Sequence, residues 1–253
     1  MTQACPRLRV FAGPNGSGKS TILPELKAEW IGVYVNADEI EKTLKQAHRL
    51  DLSGFDITAP IGTRLHEHFE SSTLLQKAGL IELARQVQVI GSEIQFGTIP
   101  INSYFAASIA DFIRRELLSQ GTSFTFESVM SHPDKVEFMR EAQAKGYRTY
   151  LYFVATNSPA INIARVRQRV AGGGHPVPEE KIIERYSNSI ALLDQAVAAA
   201  NRAYIFDNSG DAHVLLVQSN EGELTTCVDA LPQWFVQSPL WVEYGSSGSP
   251  DPT

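Results

Sequence analysis

A glycine-rich segment at residues 13–20, Gly-Pro-Asn-Gly-Ser-Gly-Lys-Ser, constrains the fold of this chain more than any other feature of its sequence. Its spacing matches the phosphate-binding loop pattern GxxxxGK[ST] at every required position. The apolar run Leu8 to Ala12 predicts a strand before the loop, and a helix is predicted from about Lys19 to Trp30. This order of strand, loop and helix favours a nucleotide phosphate site over an ordinary glycine-rich turn.

Each residue type in this loop has a role in holding phosphate. Glycines let backbone N–H groups turn towards an anion, and the helix N-terminus adds partial positive charge. Lys19 is predicted to reach the β- and γ-phosphates and to act in catalysis, and the Ser20 hydroxyl is predicted to ligate Mg²⁺. We therefore expect ATP and Mg²⁺ as cofactors. The predicted cofactor-binding residues are Gly13, Pro14, Asn15, Gly16, Ser17, Gly18, Lys19, Ser20 and Thr21.

The rest of the chain alternates between short strand-like and longer helical segments. Further strands are predicted at residues 32–36, 122–126, 147–154 and 204–206, and further helices at 38–48, 133–145, 157–170 and 178–200. Such alternation predicts an α/β protein with the P-loop NTPase fold, in which helices cover both faces of a mostly parallel sheet.

Two regions depart from this alternation. Residues 43–120 carry helical patterns without a convincing strand, so we expect a helical insertion there. The apolar segments on either side of Asn220-Glu221-Gly222 predict a C-terminal β-hairpin. We expect a single domain over residues 1–242, followed at 243–253 by a disordered tail rich in Gly, Ser and Pro.

Composition and charge narrow the class of protein. Apolar residues make up 43% and charged residues 20% of the 253, as in ordinary globular proteins. The net charge of -6 argues against a non-specific nucleic-acid binder. The two cysteines, Cys5 and Cys227, form no metal-binding or disulfide pattern, and no apolar run approaches the roughly 18 residues of a membrane-spanning helix. We expect a cytoplasmic protein that does not enter a membrane.

The phosphate loop alone does not reveal how the nucleotide is used. The Asn-Lys-x-Asp tetrad of GTPases is absent, and the third strand ends in Phe126-Glu127-Ser128 without the Asp-Glu pair of motor ATPases. A small-molecule kinase instead needs a base near the acceptor hydroxyl, a substrate pocket and a mobile lid that carries arginines. The sequence offers a candidate for each of these parts.

Polar side chains follow two of the predicted strands, at the sheet edge where α/β proteins bind their ligands. Asp38 follows the second strand and could accept the proton of an acceptor hydroxyl, cap the following helix, or do both. Glu127 ends the third strand and could hold the substrate or a metal-bound water, or form an ion pair with an arginine. Ser128 is a further candidate for contact with the substrate.

Residues 157–186 are predicted to form the lid. Arg165 and Arg169 lie four residues apart on one helix face, so both could point at one anion. Three glycines at 172–174 provide a hinge, and Arg185 on the next helix is a candidate substrate-binding residue. The alternative without a functional role is that these arginines form a solvated basic surface.

In this ordered set of motifs, the sequence resembles the zeta toxin family of P-loop kinases. The resemblance runs from about residue 8 to 208 and rests on residues 13–21, Asn36-Ala37-Asp38-Glu39, Phe126-Glu127-Ser128, Lys145-Gly146-Tyr147 and the Arg165 to Tyr186 lid. It implies ATP- and Mg²⁺-dependent phosphorylation of UDP-N-acetylglucosamine, and a small helical antitoxin as partner. It also implies that Asp38 is the general base, Lys19 the phosphate-binding lysine and Glu127 the acidic residue that closes the third strand. The insertion and the Gly-Gly-Gly-His lid are similar to a chromosomal branch of the family.

Three hypotheses follow from the sequence. The first is an ATP-dependent kinase that phosphorylates a hydroxyl of a small molecule, such as a UDP-amino sugar. The second is a nucleic-acid end kinase on the same scaffold, which would need a basic channel. The third is a non-catalytic ATP-binding switch that binds a protein partner, although a switch has no use for an acceptor base.

Overall fold

The chain forms two compact units. The computed structural model describes residues 5–174 and 176–247. The first unit combines the chain up to Trp30 with the chain from Glu127 onward, and the second unit is Ile31–Phe126. The expectation of a single domain over residues 1–242 therefore stays a prediction. Within the described residues, no helix has the length and apolar character needed to cross a membrane.

The order of strands and helices follows the predicted alternation. The strands are β1 (Arg7–Ala12), β2 (Val33–Val35), β3 (Arg49–Asp51), β4 (Gln88–Ile90), β5 (Glu93–Gln95), β6 (Phe124–Ser128), β7 (Arg148–Ala155), β8 (Arg202–Asp207), β9 (Val214–Asn220) and β10 (Glu223–Thr226). The helices are α1 (Lys19–Ile22), α2 (Ala28–Ile31), α3 (Ala37–Ala47), α4 (Gly62–Ser71), α5 (Thr73–Lys77), α6 (Ile81–Ala84), α7 (Ser103–Gln120), α8 (Asp134–Ala144), α9 (Pro159–Ala171), α10 (Glu179–Ala191), α11 (Leu193–Ala198), α12 (Gln233–Val236) and α13 (Pro239–Ser247).

The first unit is built on a sheet with the strand order β10-β9-β8-β7-β1. Strand β7 pairs in parallel with both β1 and β8, whereas β9 and β10 join in antiparallel orientation. Helices α9 to α11 connect β7 to β8, as the crossover between two parallel strands requires. The parallel strands end on one edge of the sheet, and the glycine-rich loop continues from the last residue of β1 at that edge.

Side chains alternate between the two faces of the sheet along each strand, so both faces carry apolar side chains. Helical segments cover both faces. On one face, Phe11 of β1 stacks on Tyr152 of β7 at 4.7 Å between ring centroids, and the cluster includes Ile22 of α1. On the opposite face, Phe153 of β7 lies 6.4 Å from Trp234 of α12. The predicted α/β fold with a mostly parallel, helix-covered sheet is confirmed.

The predicted C-terminal hairpin is confirmed as β9 and β10. Two residues connect the strands, Glu221 with φ 50° and Gly222 with φ 90°. Two positive φ values in a two-residue loop are the geometry that matches the twist of an antiparallel hairpin. The hairpin thus extends the sheet of the first unit beyond β8.

The second unit combines a parallel strand pair with the predicted insertion. Strands β2 and β6 pair in parallel, and helices α3 and α7 belong to the same unit. Asn102 caps the start of α7 by accepting from two backbone N–H groups, and Gly121 ends this helix with φ 71°. Helix α7 buries Phe105, whose ring packs edge-on against Phe69 and Phe96. The insertion therefore has an aromatic core of its own.

The insertion is not entirely helical, contrary to the prediction. Strands β3, β5 and β4 form a small antiparallel sheet within residues 43–120. Each strand has three residues, too few for an alternating pattern to be recognised in the sequence. Only Leu50 and Ile94 among these strand residues are buried, so the apolar signal of the sheet is confined to two positions.

Two further predictions differ from the structure at their boundaries. The helix predicted from about Lys19 to Trp30 is interrupted by a 3₁₀ turn, Leu23–Glu25, that contains Pro24. Proline removes a backbone donor and clashes with the preceding turn, so it interrupts a helix. Residues 243–247 of the predicted tail continue α13, and the rest of that tail, 248–253, lies outside the described residues.

Candidate nucleotide-binding site

The phosphate loop adopts a backbone that only glycine can form at three positions. Gly13, Gly16 and Gly18 have φ values of 135°, 76° and 93°. A Cβ atom at Gly13 would lie 2.0 Å from the Val154 carbonyl oxygen, and one at Gly16 would lie 2.5 Å from the Asn162 carbonyl oxygen. The dihedral angles therefore favour glycine at all three positions, and nearby backbone atoms also exclude a side chain at Gly13 and Gly16.

The Gly13→Ala variant is expected to be less stable by about 2 kcal/mol or more, because the new Cβ adds backbone strain and a clash with β7. Urea denaturation followed by circular dichroism measures the change in free energy of unfolding. Gly54→Ala is the matched control, since nothing lies within 4 Å of a Cβ there, and we expect its stability to change by less than about 0.5 kcal/mol. Equal stability of the two variants would contradict the strained loop geometry.

A buried asparagine on α9 supports the loop from one side. Asn162 is fully buried, and its Nδ2 donates to the Asn15 carbonyl oxygen at 2.6 Å. Its Oδ1 accepts a hydrogen bond from the hydroxyl of Thr156, which is also fully buried and follows β7. Because an unpaired amide would be costly in this interior, Asn162 fixes the position of Asn15 in the loop.

A second buried asparagine supports the loop from the end of β8. Asn208 donates from Nδ2 to the Ser17 carbonyl oxygen at 2.8 Å, and its amide group would clash with a Cβ at Gly18. The carbonyl oxygen of Asn208 in turn accepts from Arg165 Nη1 at 2.7 Å. Arg165 also donates to the Gly210 carbonyl oxygen at 3.3 Å. Arg165, a catalytic candidate in the predicted lid, therefore holds the segment after β8 in this structure.

The Lys19 side chain folds back onto the phosphate loop. Its ammonium nitrogen donates to the carbonyl oxygens of Gly13 and Pro14 at 2.9 and 3.1 Å. Ser20 is exposed at the start of α1, where its hydroxyl can reach a cation. No cluster of three His, Cys, Asp or Glu that could hold a metal occurs among residues 5–174 and 176–247. The Ser20 hydroxyl fits Mg²⁺, because Mg²⁺ takes one or two protein oxygens and otherwise binds phosphates and water.

The arginines of the predicted lid have different surroundings. Arg167 forms an ion pair with Glu179, which links α9 to α10 across the glycine turn. Arg169 is exposed and lies against Gly174, where a Cβ would come within 2.7 Å of its Cγ. Arg185 of α10 donates from Nη1 to Asn15 Oδ1 at 3.2 Å, so this predicted substrate-binding residue contacts the phosphate loop. His175, the residue after the three glycines of the predicted lid, lies outside the described residues.

Tyr186, next to Arg185, holds α10 against the end of β7. Its hydroxyl donates to the Thr156 carbonyl oxygen at 2.6 Å. Burial, with a smaller contribution from the negative charge of Asp207, raises the pKa of Tyr186 to about 12. The contact with Thr156 requires the protonated phenol, so the folded state disfavours ionisation of this side chain.

Tyr186→Phe is expected to reduce the loss of stability in alkali. The pKa rises from about 10 in the unfolded chain to about 12 in the folded one, so this contribution is complete below pH 10 and is lost as pH rises through 12. Urea denaturation at a series of alkaline pH values measures it. The exposed Tyr104→Phe control should keep the parental pH dependence. If the free energy of unfolding of Tyr186→Phe fell with alkaline pH as steeply as that of the parent chain, the raised pKa of Tyr186 would be refuted.

The remaining predicted site residues lie in different surroundings. Glu127 and Ser128 end β6 and are half-buried, and Ser128 Oγ accepts from the Met130 backbone N–H at 3.0 Å.

Asp38 belongs to the second unit, where it is exposed in the first turn of α3. The cap of that helix is Asn36, whose Oδ1 accepts from the backbone of Asp38 at 2.8 Å. The alternative that Asp38 is the capping residue is therefore wrong.

Comparison with known proteins gives a family match for part of the chain. The zeta toxin family model matches residues 101–220. The resemblance to the zeta toxin family is confirmed. A curated relative from Haemophilus influenzae, described as an uncharacterized protein, is 32% identical over 69 residues, which are 27% of this zeta-toxin-like chain and 49% of the relative. The chain thus spans about half the length of the curated relative that it matches.

Solved structures share the fold of this chain. One is from the PezAT chromosomal toxin–antitoxin system of Streptococcus pneumoniae, with a TM-score of 0.54, 17% identity and coverage of 98% of this chain and 86% of that one. Another is the AvrRxo1-ORF1:-ORF2 complex with ATP, with a TM-score of 0.51, 15% identity and coverage of 99% and 66%. At these identities, the likeness supports the predicted P-loop fold.

The candidate site includes residues that sequence reasoning missed. Asn162 and Asn208 hold the loop, yet neither belongs to a recognisable motif. A signal existed for each: Asn162 lies one turn before the buried Val166 on the inward face of α9, and Asn208 follows a strand at the ligand-binding edge. Trp234, which donates from Nε1 to Asp207 Oδ2 at 2.7 Å, gave no such signal.

Proposed function

We propose that this chain is an ATP-dependent kinase that transfers the γ-phosphoryl group of ATP to a hydroxyl of a small substrate. The observation that carries the proposal is the phosphate loop, with its strained glycines, its two supporting asparagines and Lys19 over its carbonyl oxygens. Supporting it are the match to the zeta toxin family model and the fold shared with a complex that contains ATP.

In the proposed reaction, this chain supplies phosphate binding and a proton acceptor. The loop N–H groups and the Lys19 ammonium hold the β- and γ-phosphates, and the Ser20 hydroxyl is a ligand for Mg²⁺. Mg²⁺, when bound, neutralises charge on the phosphate oxygens. The Asp38 carboxylate accepts the proton of the acceptor hydroxyl as its oxygen bonds to the γ-phosphorus, and the bond from that phosphorus to the β-phosphate oxygen breaks to release ADP.

The lid arginines complete the proposal on the side of the transferred group. Arg165 and Arg169 of α9 would stabilise charge on the transferred phosphoryl group, and Arg185 is already in contact with Asn15. Glu127 and Ser128 remain the proposed substrate contacts at the end of β6. The bonds of Arg165 to Asn208 and Gly210 imply that this arginine must release the segment after β8, or act through it.

The proposal extends to the identity of the acceptor substrate and of a protein partner. We propose a nucleotide sugar of the UDP-N-acetylglucosamine type as acceptor, on the basis of the resemblance to zeta toxins. We propose a small helical antitoxin as partner, because the fold is shared with a protein of a toxin–antitoxin system. Co-expression with short proteins encoded beside this chain, followed by size-exclusion chromatography, tests the second point.

Incubation with γ-labelled ATP, Mg²⁺ and a metabolite panel that contains UDP-sugars tests the function. Label on a UDP-sugar is the expected result, and label on another small alcohol would keep the kinase but replace the acceptor. Label on an added oligonucleotide would favour a nucleic-acid end kinase instead. Tight ATP binding without transfer to any acceptor would favour a nucleotide-dependent switch and would contradict the proposal.

A further inference from the structure

A cavity of about 620 Å³ opens beside the phosphate-loop support, in the first unit. One wall consists of Asn157, which follows β7, together with Tyr186 and Ser187 of α10. The other wall consists of Gln233 and Trp234 of α12 together with Gln237, which follows α12. The second wall lies beyond residue 220, where the match to the zeta toxin model ends. None of the roles proposed above uses this cavity.

The inner part of the cavity is rigid because its residues are tied to neighbouring elements. The Trp234 indole donates to Asp207 at 2.7 Å, and the same carboxylate accepts from the Ser209 hydroxyl at 2.8 Å. The backbone N–H of Asn157 donates to that Ser209 oxygen at 2.8 Å. Tyr186 donates to the Thr156 carbonyl oxygen. Hydrogen bonds therefore fix both walls before any ligand arrives, as a preformed site requires.

The outer part of the cavity presents primary amides that are free to bind. Asn157, Gln233 and Gln237 are exposed, and the structure gives their side-chain amides no hydrogen bond among the described residues. Each amide offers an N–H donor and a carbonyl acceptor. None of the lining residues carries a charge, and Ile190 adds an aliphatic side chain to the lining.

From this lining, we propose that the cavity binds an uncharged ring compound that carries several hydroxyl or amide groups. This chemistry is shared by nucleosides and by free sugars. Alternating donors and acceptors on the amides match such groups, whereas a phosphate or a carboxylate would find no cationic partner in the lining. The volume lies in the usual range for small-molecule sites. The site is separate from the phosphate-binding function of Lys19 and does not depend on kinase activity.

Isothermal titration of the full chain with adenosine, uridine and N-acetylglucosamine, without ATP, tests the site. We expect saturable binding of at least one probe, and the arm that binds identifies a nucleoside or a sugar as the source. The Lys19→Ala variant should bind that probe with unchanged affinity, because the cavity does not use the phosphate loop lysine. Failure of the kinase proposal would leave this result in place.

Variants of the two walls decide whether the cavity is the binding site. Gln233→Ala combined with Gln237→Ala removes two amides from one wall, and Asn157→Ala removes one from the other. Each variant should weaken binding about tenfold or more, since one hydrogen bond accounts for roughly that factor. Gln218→Ala, an exposed glutamine of β9 outside the lining, is the matched control and should bind normally.

Two results would overturn the inference. The first is that none of the three probes binds up to its solubility limit. The second is that the variants of both walls, shown to be folded by circular dichroism, bind the probe as tightly as the parent chain. Because the three amide side chains are exposed, these substitutions remove no buried contact and we expect the variants to fold.

Discussion

Replacing Lys19 with alanine is expected to lower phosphoryl transfer by about 10²–10³-fold and to weaken ATP binding in the same variant. The ammonium group donates to the carbonyl oxygens of Gly13 and Pro14, so it already lies over the loop that would hold the phosphates. Alanine removes the only side-chain charge of the loop while leaving its glycine backbone intact. Titration with ATP measures affinity, and label transfer from γ-labelled ATP measures turnover.

The neighbouring lysine of the same segment provides the control. Lys27 is exposed, and its ammonium lies 5.3 Å from the centroid of the Trp30 ring rather than over the phosphate loop. Lys27→Ala should therefore bind ATP and turn over like the parent chain. If Lys19→Ala kept the parental ATP affinity, or if both variants lost it equally, the assignment of the phosphate site to this loop would fail.

The phosphate loop could be predicted from sequence because its requirements are local. Glycine at positive φ and a lysine after the last glycine are properties of eight consecutive residues. Its supports could not be predicted, because Asn162 and Asn208 reach the loop from α9 and from the end of β8, 147 and 191 residues from their partners Asn15 and Ser17. Contacts across such separations depend on the order of strands in the sheet, which local patterns do not encode.

The same distinction explains the differences in secondary structure. The long helix α7 lies within residues 43–120, where the sequence predicted helices, and agrees with that prediction. Strands β3, β4 and β5 were missed because each has three residues and their pairing depends on neighbours up to about 45 residues away. The role of Arg165 was also beyond local reasoning, since an arginine on a helix face binds whatever carbonyl or anion the fold brings to it.

The assignment of Asp38 as general base predicts a large effect on turnover and little effect on nucleotide binding. Asp38→Asn should lower the rate of phosphoryl transfer by about 10²–10⁴-fold, because the amide cannot accept the acceptor proton. Folding should be preserved, since Asn36 rather than Asp38 caps α3 and the Asp38 side chain is exposed. ATP affinity should stay at the parental value, in contrast to Lys19→Ala.

Glu39→Gln separates the proposed base from a general effect of negative charge at this helix end. Glu39 is the next residue in the first turn of α3 and is likewise exposed, so it has the same helix dipole and the same solvent access. We expect Glu39→Gln to retain parental turnover. If Asp38→Asn kept parental turnover on the true acceptor, another group would have to accept the proton. If both variants lost turnover equally, the negative charge at this helix end would matter rather than a base at position 38. A selective loss in Asp38→Asn would leave proton acceptance as the role of this carboxylate, because the two variants differ in which carboxylate is lost and not in net charge.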